Sequence, residues 1–320
     1  MIKEMTRTRL FFATDIHGSE ACFLKFLNAP RFYKAKVLIL GGDLTGKMIV
    51  PIVEREDGTY EANFLGVQRI LPEEKVEELE NQIQRMGFYP YRTDGETVRR
   101  LSADSHRFEA LFSRLMVERL EQWVGIAEEK LRDGEAEVYI SGGNDDFPHI
   151  DDILRRSDAF VDPEGEVVKI HGDHEMITCA WTNPTPWRTP RECSEEELRE
   201  KLEAMISGVR DMENCIFNTH APPVDSGLDL CQKLDKDLKP IFSGGQPVMF
   251  GAGSTAVKDA IKEHQPLLGL HGHIHESKGS IRIGRTLCLN PGSEYSEVIL
   301  RGVIVDLDDK RVRGHLFTSG

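Results

Sequence analysis

Five short segments along this chain carry residue types that hold metal ions: Asp15-Ile16-His17, Gly41-Gly42-Asp43, Gly143-Asn144-Asp145, Thr219-His220 and Gly272-His273-Ile274-His275. Each follows a short apolar run, such as Leu10-Phe11-Phe12-Ala13, Val37-Leu38-Ile39-Leu40 or Leu267-Leu268-Gly269-Leu270. Asp15 with His17, and His273 with His275, lie two residues apart, and on an extended segment such a pair projects to one face. Asp43 is short and offers two acceptor oxygens, so one carboxylate can serve two ions. Asn144 offers an amide oxygen, which an apolar core would not leave unpaired. Gly272 lets the backbone turn tightly before its two histidines. Singly, each segment also reads as a plain turn or a surface histidine. Together, with complementary ligand types at the ends of apolar runs, they point to one shared metal site.

The elements between these segments must bring them together. Residues 8–43 read as strand, helix, strand, with Phe23, Leu24, Phe26 and Leu27 on the helix. The unbroken apolar run 37–40 is that of a strand covered on both faces. Residues 48–104 change character. Asp57-Gly58 between 49–53 and 60–65 signals a β-hairpin. Pro72 opens a charged helix with Val76, Leu79, Ile83 and Met86 on one side and Gly87 at its end. This stretch is expected to form a small inserted cap. A long amphipathic helix follows over 105–131, stopped by Asp133-Gly134, and 138–140 returns to a sheet. Short antiparallel strands are expected within 160–180, then a Pro-rich loop over 183–191. Ser194 with Glu197 forms a capping box for a helix running to about 212. A strand before His220, a helix over 254–264 and a tail of short strands from 281 to 317 complete the reading.

Composition is that of a folded globular chain, 39% hydrophobic and 29% charged. The formal charge of −14, with no Lys/Arg cluster, argues against a long nucleic acid as partner and against an anionic membrane surface. It leaves a phosphate substrate open, because bound cations reverse the local potential. No stretch approaches a membrane span, and the first nine residues hold no apolar segment of signal-peptide length. The six scattered cysteines include no C-x-x-C pair, so a reducing, cytoplasmic setting is expected. Oligomeric state is not legible.

The five segments resemble the pattern of the calcineurin-like metallophosphoesterases: D-x-H, G-D, G-N-H-[DE], a strand-end His and G-H-x-H. The stretches 218–223, 266–276 and 289–293 look like a small-phosphoesterase branch of that superfamily. The resemblance implies an α/β fold, a four-layer αββα sandwich of two mixed sheets. One metallophosphoesterase domain would span 1–320, with 48–104 as the inserted cap. It implies a dinuclear centre with one ion held by Asp15, His17, Asp43 and His275. The second would be held by Asp43, Asn144, His220 and His273, with Asp43 bridging. Mn, Fe, Zn or Co suit such a mixed nitrogen and oxygen set. The implied activity is phosphoester hydrolysis through a metal-bridging hydroxide, most simply of a small or nucleotide-like phosphodiester. A non-catalytic metal-binding scaffold and a metal-dependent nuclease are the alternative readings.

Asp145 departs from the pattern. The related family usually has His here, assigned to protonate the leaving oxygen. An ordinary carboxyl with a pKa of about 3.9 is a poor acid near neutrality. Neighbouring acids at Asp146, Asp151 and Asp152 can raise it. The alternatives are substrates with aryl, activated or cyclic esters, or a stand-in role for His149. Arg188 and Arg191 in the Pro-rich loop are candidate phosphate-binding residues.

Overall fold

The computed structural model describes residues 7–132, 134 and 136–320. Two mixed sheets pack face to face. The first has the order Arg311–Ser319, Arg301–Asp308, Thr8–Ala13, Val37–Gly41, Glu137–Ser141. Its last three strands run parallel. The second has the order Gly279–Ile283, Thr286–Asn290, Leu268–Leu270, Cys215–Thr219, His174–Cys179, Val167–Ile170. Its four inner strands are parallel and both edges antiparallel.

Strand alternation sorts the side chains into layers. Leu10, Phe12, Val37 and Ile39 face the second sheet and meet Ile216, Leu268, Leu270 and Leu289. Phe11, Ala13, Leu38 and Leu40 face the other way, into a core shared with Phe23, Phe26 and Trp123 of helices Glu20–Tyr33 and Ser105–Lys130. Phe23 and Trp123 stack with ring centroids 4.2 Å apart. Beyond the second sheet, Ile177, Phe217 and Cys288 pack with Leu198, Leu202, Val257 and Ile261 of helices Glu195–Ile206 and Thr255–His264. The result is the helix–sheet–sheet–helix sandwich.

The insertion builds its own core. Its sheet has the order Val67–Leu71, Tyr60–Phe64, Ile49–Glu54, Tyr89–Asp94, and helix Val76–Arg85 packs Val76, Leu79 and Ile83 against Val50, Ile52 and Phe64. The hairpin at Asp57-Gly58 is present. A second hairpin turns at Leu65-Gly66, both with positive φ, where only one strand was expected. Helix Gly95–Ala103, capped by Asp94, is also additional. The insertion is tied to the loops after the first two parallel strands: Ser19 Oγ donates to the Arg85 carbonyl at 2.6 Å, and Gly46 N–H donates to Tyr89 Oη at 2.8 Å.

Three local expectations change. The capping box at Ser194 and Glu197 forms, but its helix ends at Ile206. The Ser207-Gly208 pair stops it, glycine being about 1 kcal/mol worse than alanine in a helix. The tail holds two long paired strands, Arg301–Asp308 and Arg311–Ser319. Residues 228–253, unassigned by periodicity, form a projecting finger in which Leu230–Gln232 pairs with Met249–Gly251, and Phe242–Ser243 with Gln246–Pro247 across Gly244-Gly245. Its strands of two or three residues are too short to leave an alternating pattern. The expected stop at Asp133 lies outside the described residues. Among the described residues no helix is long and apolar enough to cross a membrane, and all six thiols are free.

Candidate metal centre

All five segments emerge from the C-terminal ends of parallel strands. Backbone bonds carry the pairing past those ends: Asp15 N–H to Gly42 O at 2.9 Å, His17 N–H to Asp43 O at 2.9 Å, His220 N–H to Cys179 O at 2.9 Å, and Gly272 N–H to His220 O at 3.0 Å. Asp15, His17, Asp43 and His273 have φ of 54°, 38°, 50° and 67°. The expectation that Asp15 with His17 and His273 with His275 project from extended segments is therefore corrected. Left-handed residues bend these loops, and such conformations cost about 1–3 kcal/mol at each non-glycine position. The loop bonds above hold them there. Gly42 (φ 117°) and Gly143 admit the close approach, since a side chain on the first would strike His220 and on the second Asp43.

The chain brings all seven expected ligands to one place. Asp15, His17, Asp43 and His275 each offer an atom within 4.8 Å of the others. His17 Nε2 lies 3.0 Å from His275 Nε2 and 3.5 Å from Asp43 Oδ2. Asp43 Oδ1 lies 3.3 Å from His220 Nε2, and Asp15 Oδ1 lies 3.3 Å from His275 Nε2 and 3.7 Å from His220 Nε2. The His220 and His273 rings are 5.5 Å apart. Asn144 Nδ2 donates to Thr189 Oγ1 at 2.8 Å, which turns its Oδ1 the other way. Asn144 Oδ1 is buried without a hydrogen-bond partner in the protein. Unpaired buried polar atoms cost about 1–3 kcal/mol each, and coordination to a cation relieves that cost. The donor set thus fits divalent metal. By contrast, Glu203, Glu263 and His264 form a group on the helical layer whose two acids are exposed.

Charge is balanced within the cluster. Burial favours the neutral form of Asp15, yet His220, His275 and His17 hold its carboxyl well below the usual range. Burial opposes charge on His220 too, but Asp43 and Asp15 push it up to about 10. His275, despite burial, is raised by Asp15. Desolvation and then His220 press His273 down to about 3. Burial, with Lys47 and His275, keeps His17 neutral as well. His220 Nδ1 sits 3.0 Å from the Gly41 carbonyl and donates to it, which aims Nε2 at the carboxylates.

Asp145 stands at the edge of the cluster, its backbone N–H donating to Asp43 Oδ1 at 3.0 Å. Its carboxylate pairs with the Lys47 ammonium and lies 3.8 Å from His17 Nδ1. Burial, then Asp43, raises its pKa, with Lys47 pulling the other way. His149 is engaged elsewhere, 3.2 Å from Ser113 Oγ on the long helix. Asp146 accepts the backbone N–H of Leu44, Thr45 and Gly143 at 2.8–2.9 Å and so braces two ligand loops. The Arg191 guanidinium is buried and engaged by Asp151 Oδ1 at 2.6 Å and the Asp146 carbonyl at 2.8 Å, which pins the Pro-rich loop beneath Asn144. Arg188 is exposed on that loop. Sequence reasoning missed Lys47 and Tyr295, whose ring lies 4.7 Å from that of His17. Lys47, four residues past Asp43 in the same loop, was open to suspicion. Tyr295 carries no local signal.

No family model matches the chain. The uncharacterized protein MJ1162 of Methanocaldococcus jannaschii is 30% identical to it over 176 residues, which is 54% of this chain and 72% of that protein. The chain belongs to the family of that archaeal protein. Two solved structures share its fold at 13% identity, each covering 98% of this chain and 99% of their own. Their TM-scores are 0.55 and, for TT1561 of Thermus thermophilus, 0.52.

Proposed function

We propose that this chain is a dinuclear metallophosphoesterase of the calcineurin-like superfamily, in its small-phosphoesterase branch, and that it hydrolyses a small or nucleotide-like phosphodiester. One observation carries the reading. The two oxygens of Asp43 lie against different histidines, Oδ1 3.3 Å from His220 and Oδ2 3.5 Å from His17. A single ion would engage one of those pairs. A carboxylate shared between them fits two ions, one with Asp15, His17 and His275, the other with Asn144, His220 and His273.

Two divalent cations, drawn from Mn, Fe, Zn and Co on donor chemistry, supply Lewis-acid charge to the phosphoryl oxygens and a nucleophile from water near neutral pH. The chain's own residues do the rest. His220, fixed by Gly41, and Asp15, fixed by Thr14 Oγ1 at 2.8 Å and the His273 N–H at 3.1 Å, keep their donor atoms in place before any ligand arrives. Lys47 brings an N–H donor and a positive charge to the cleft wall beside Asp145. That charge helps a substrate oxygen accumulate negative charge where the related family uses histidine. On this reading residues 1–320 form one catalytic domain, with 48–104 as its cap, acting on a small phosphoester.

The test is hydrolysis of bis(para-nitrophenyl) phosphate with Mn²⁺. Asp43→Ala and His220→Ala each abolish it, and wild-type turnover in both variants overturns the assignment.

A further inference from the structure

The candidate ligand cluster opens into one cleft of about 910 Å³ whose lining combines two chemistries. Asp43, Asn144, His273 and His275 belong to that lining, with the paired Lys47 and Asp145 beside them. The remaining wall is largely apolar: Phe112 and Met116 from the long helix, Pro186 and Trp187 from the Pro-rich loop, Leu234 and Phe250 from the finger. Three separate parts of the chain converge to build it. Trp187 is 60% exposed and Phe250 39%, so large aromatic surface stands open at the cleft. Apolar surface of this kind is favourable to cover, at about 25 cal/mol per Å².

Such a volume lies at the upper end of that of pockets for drug-sized ligands, far more than a phosphoryl group fills. With phosphorus held at the candidate ligands, the organic part of the ester falls against the apolar wall. Aromatic side chains there favour a flat ring, because offset or edge-on ring pairs gain beyond simple area burial.

Resting on the phosphoesterase reading, we propose that the apolar wall is the specificity subsite for the organic group of the ester, that it selects esters carrying an aromatic ring, and that Trp187 and Phe250 are its principal determinants. The exposure of Trp187 makes its removal safe for folding and makes its fluorescence a reporter.

Diphenyl, dicyclohexyl and dimethyl phosphate are titrated into the Mn²⁺-loaded protein and binding is read by calorimetry and tryptophan fluorescence. The expected order is diphenyl tightest, at least about tenfold over dimethyl, with dicyclohexyl between them. Trp187→Ala and Phe250→Ala each narrow the diphenyl preference, and the double variant closes it. Equal affinity for the three diesters in the wild-type protein overturns the proposal, as does an undiminished diphenyl preference in the double variant. Binding is read apart from turnover. A protein that binds in the expected order but hydrolyses nothing keeps the subsite and loses the hydrolase reading.

Discussion

If His220 holds a metal ion as proposed, the proton that Asp43 and Asp15 favour on its ring must leave before the ion can use Nε2. Asp43 and Asp15, 3.3 and 3.7 Å from Nε2, hold the imidazolium with a pKa of about 10 against the pull of burial. Below that value the proton is on. Metal affinity therefore rises with pH toward about 10, close to tenfold per unit for each proton displaced. At pH 7 the competition spans roughly three decades, or about 4 kcal/mol at 1.36 kcal/mol per unit. His275, raised by Asp15, adds to proton release at the lower pH values. The assay is calorimetric titration of metal-stripped protein with Mn²⁺ at pH 6.5, 7.5 and 8.5, in buffers of unlike ionisation enthalpy. About one proton or more is released per protein as the ions bind, and His220→Asn lowers that count by about one. An affinity that stays flat across this range, with no buffer dependence of the heat, refutes the charge assignment.

Lys47→Met removes the ammonium beside Asp145 and is expected to lower kcat/KM for an aryl phosphodiester by about tenfold to a hundredfold, with Lys47→Arg keeping most of it; wild-type kinetics in Lys47→Met denies the residue that role. Glu164 is pushed up to about 8 by burial, so it stays protonated in the folded chain while the unfolded chain ionises near 4.5. That contribution is present below 4.5 and is lost as pH rises through about 8. Glu164→Gln should gain about 5–6 °C in Tm over wild type on moving from pH 5 to pH 8.5, and parallel pH profiles would count against it. Phe23→Ala deletes one partner of the buried stack on Trp123 and should cost about 3–5 kcal/mol in urea unfolding.

The candidate ligand segments were legible because coordination would demand particular residue types, and Asp, Asn and His after apolar runs are rare enough together to stand out. The layers were legible because alternation writes burial into the strands: Leu10 and Phe12 one way, Phe11 and Ala13 the other. The capping box at Ser194 is a contact of near neighbours and was readable for the same reason. The left-handed backbone at Asp15, His17, Asp43 and His273 was not, since local propensity favours ordinary conformations and only bonds to other loops hold these residues there. The Arg191 charge reads as substrate recognition in sequence but is enclosed by Asp151, a partner 40 residues away. The Lys47–Asp145 pair joins residues 98 positions apart through the pairing of Val37–Gly41 with Glu137–Ser141. The cleft is furthest from the sequence, because Phe112, Trp187 and Phe250 have no shared pattern until the fold sets three distant segments around one opening. By itself the sequence determined which atoms can hold metal and which faces are buried, since both are properties of residue type and short-range spacing. Tertiary structure alone decided where charges pair and what shape the cleft takes, because those depend on contacts that close over long loops.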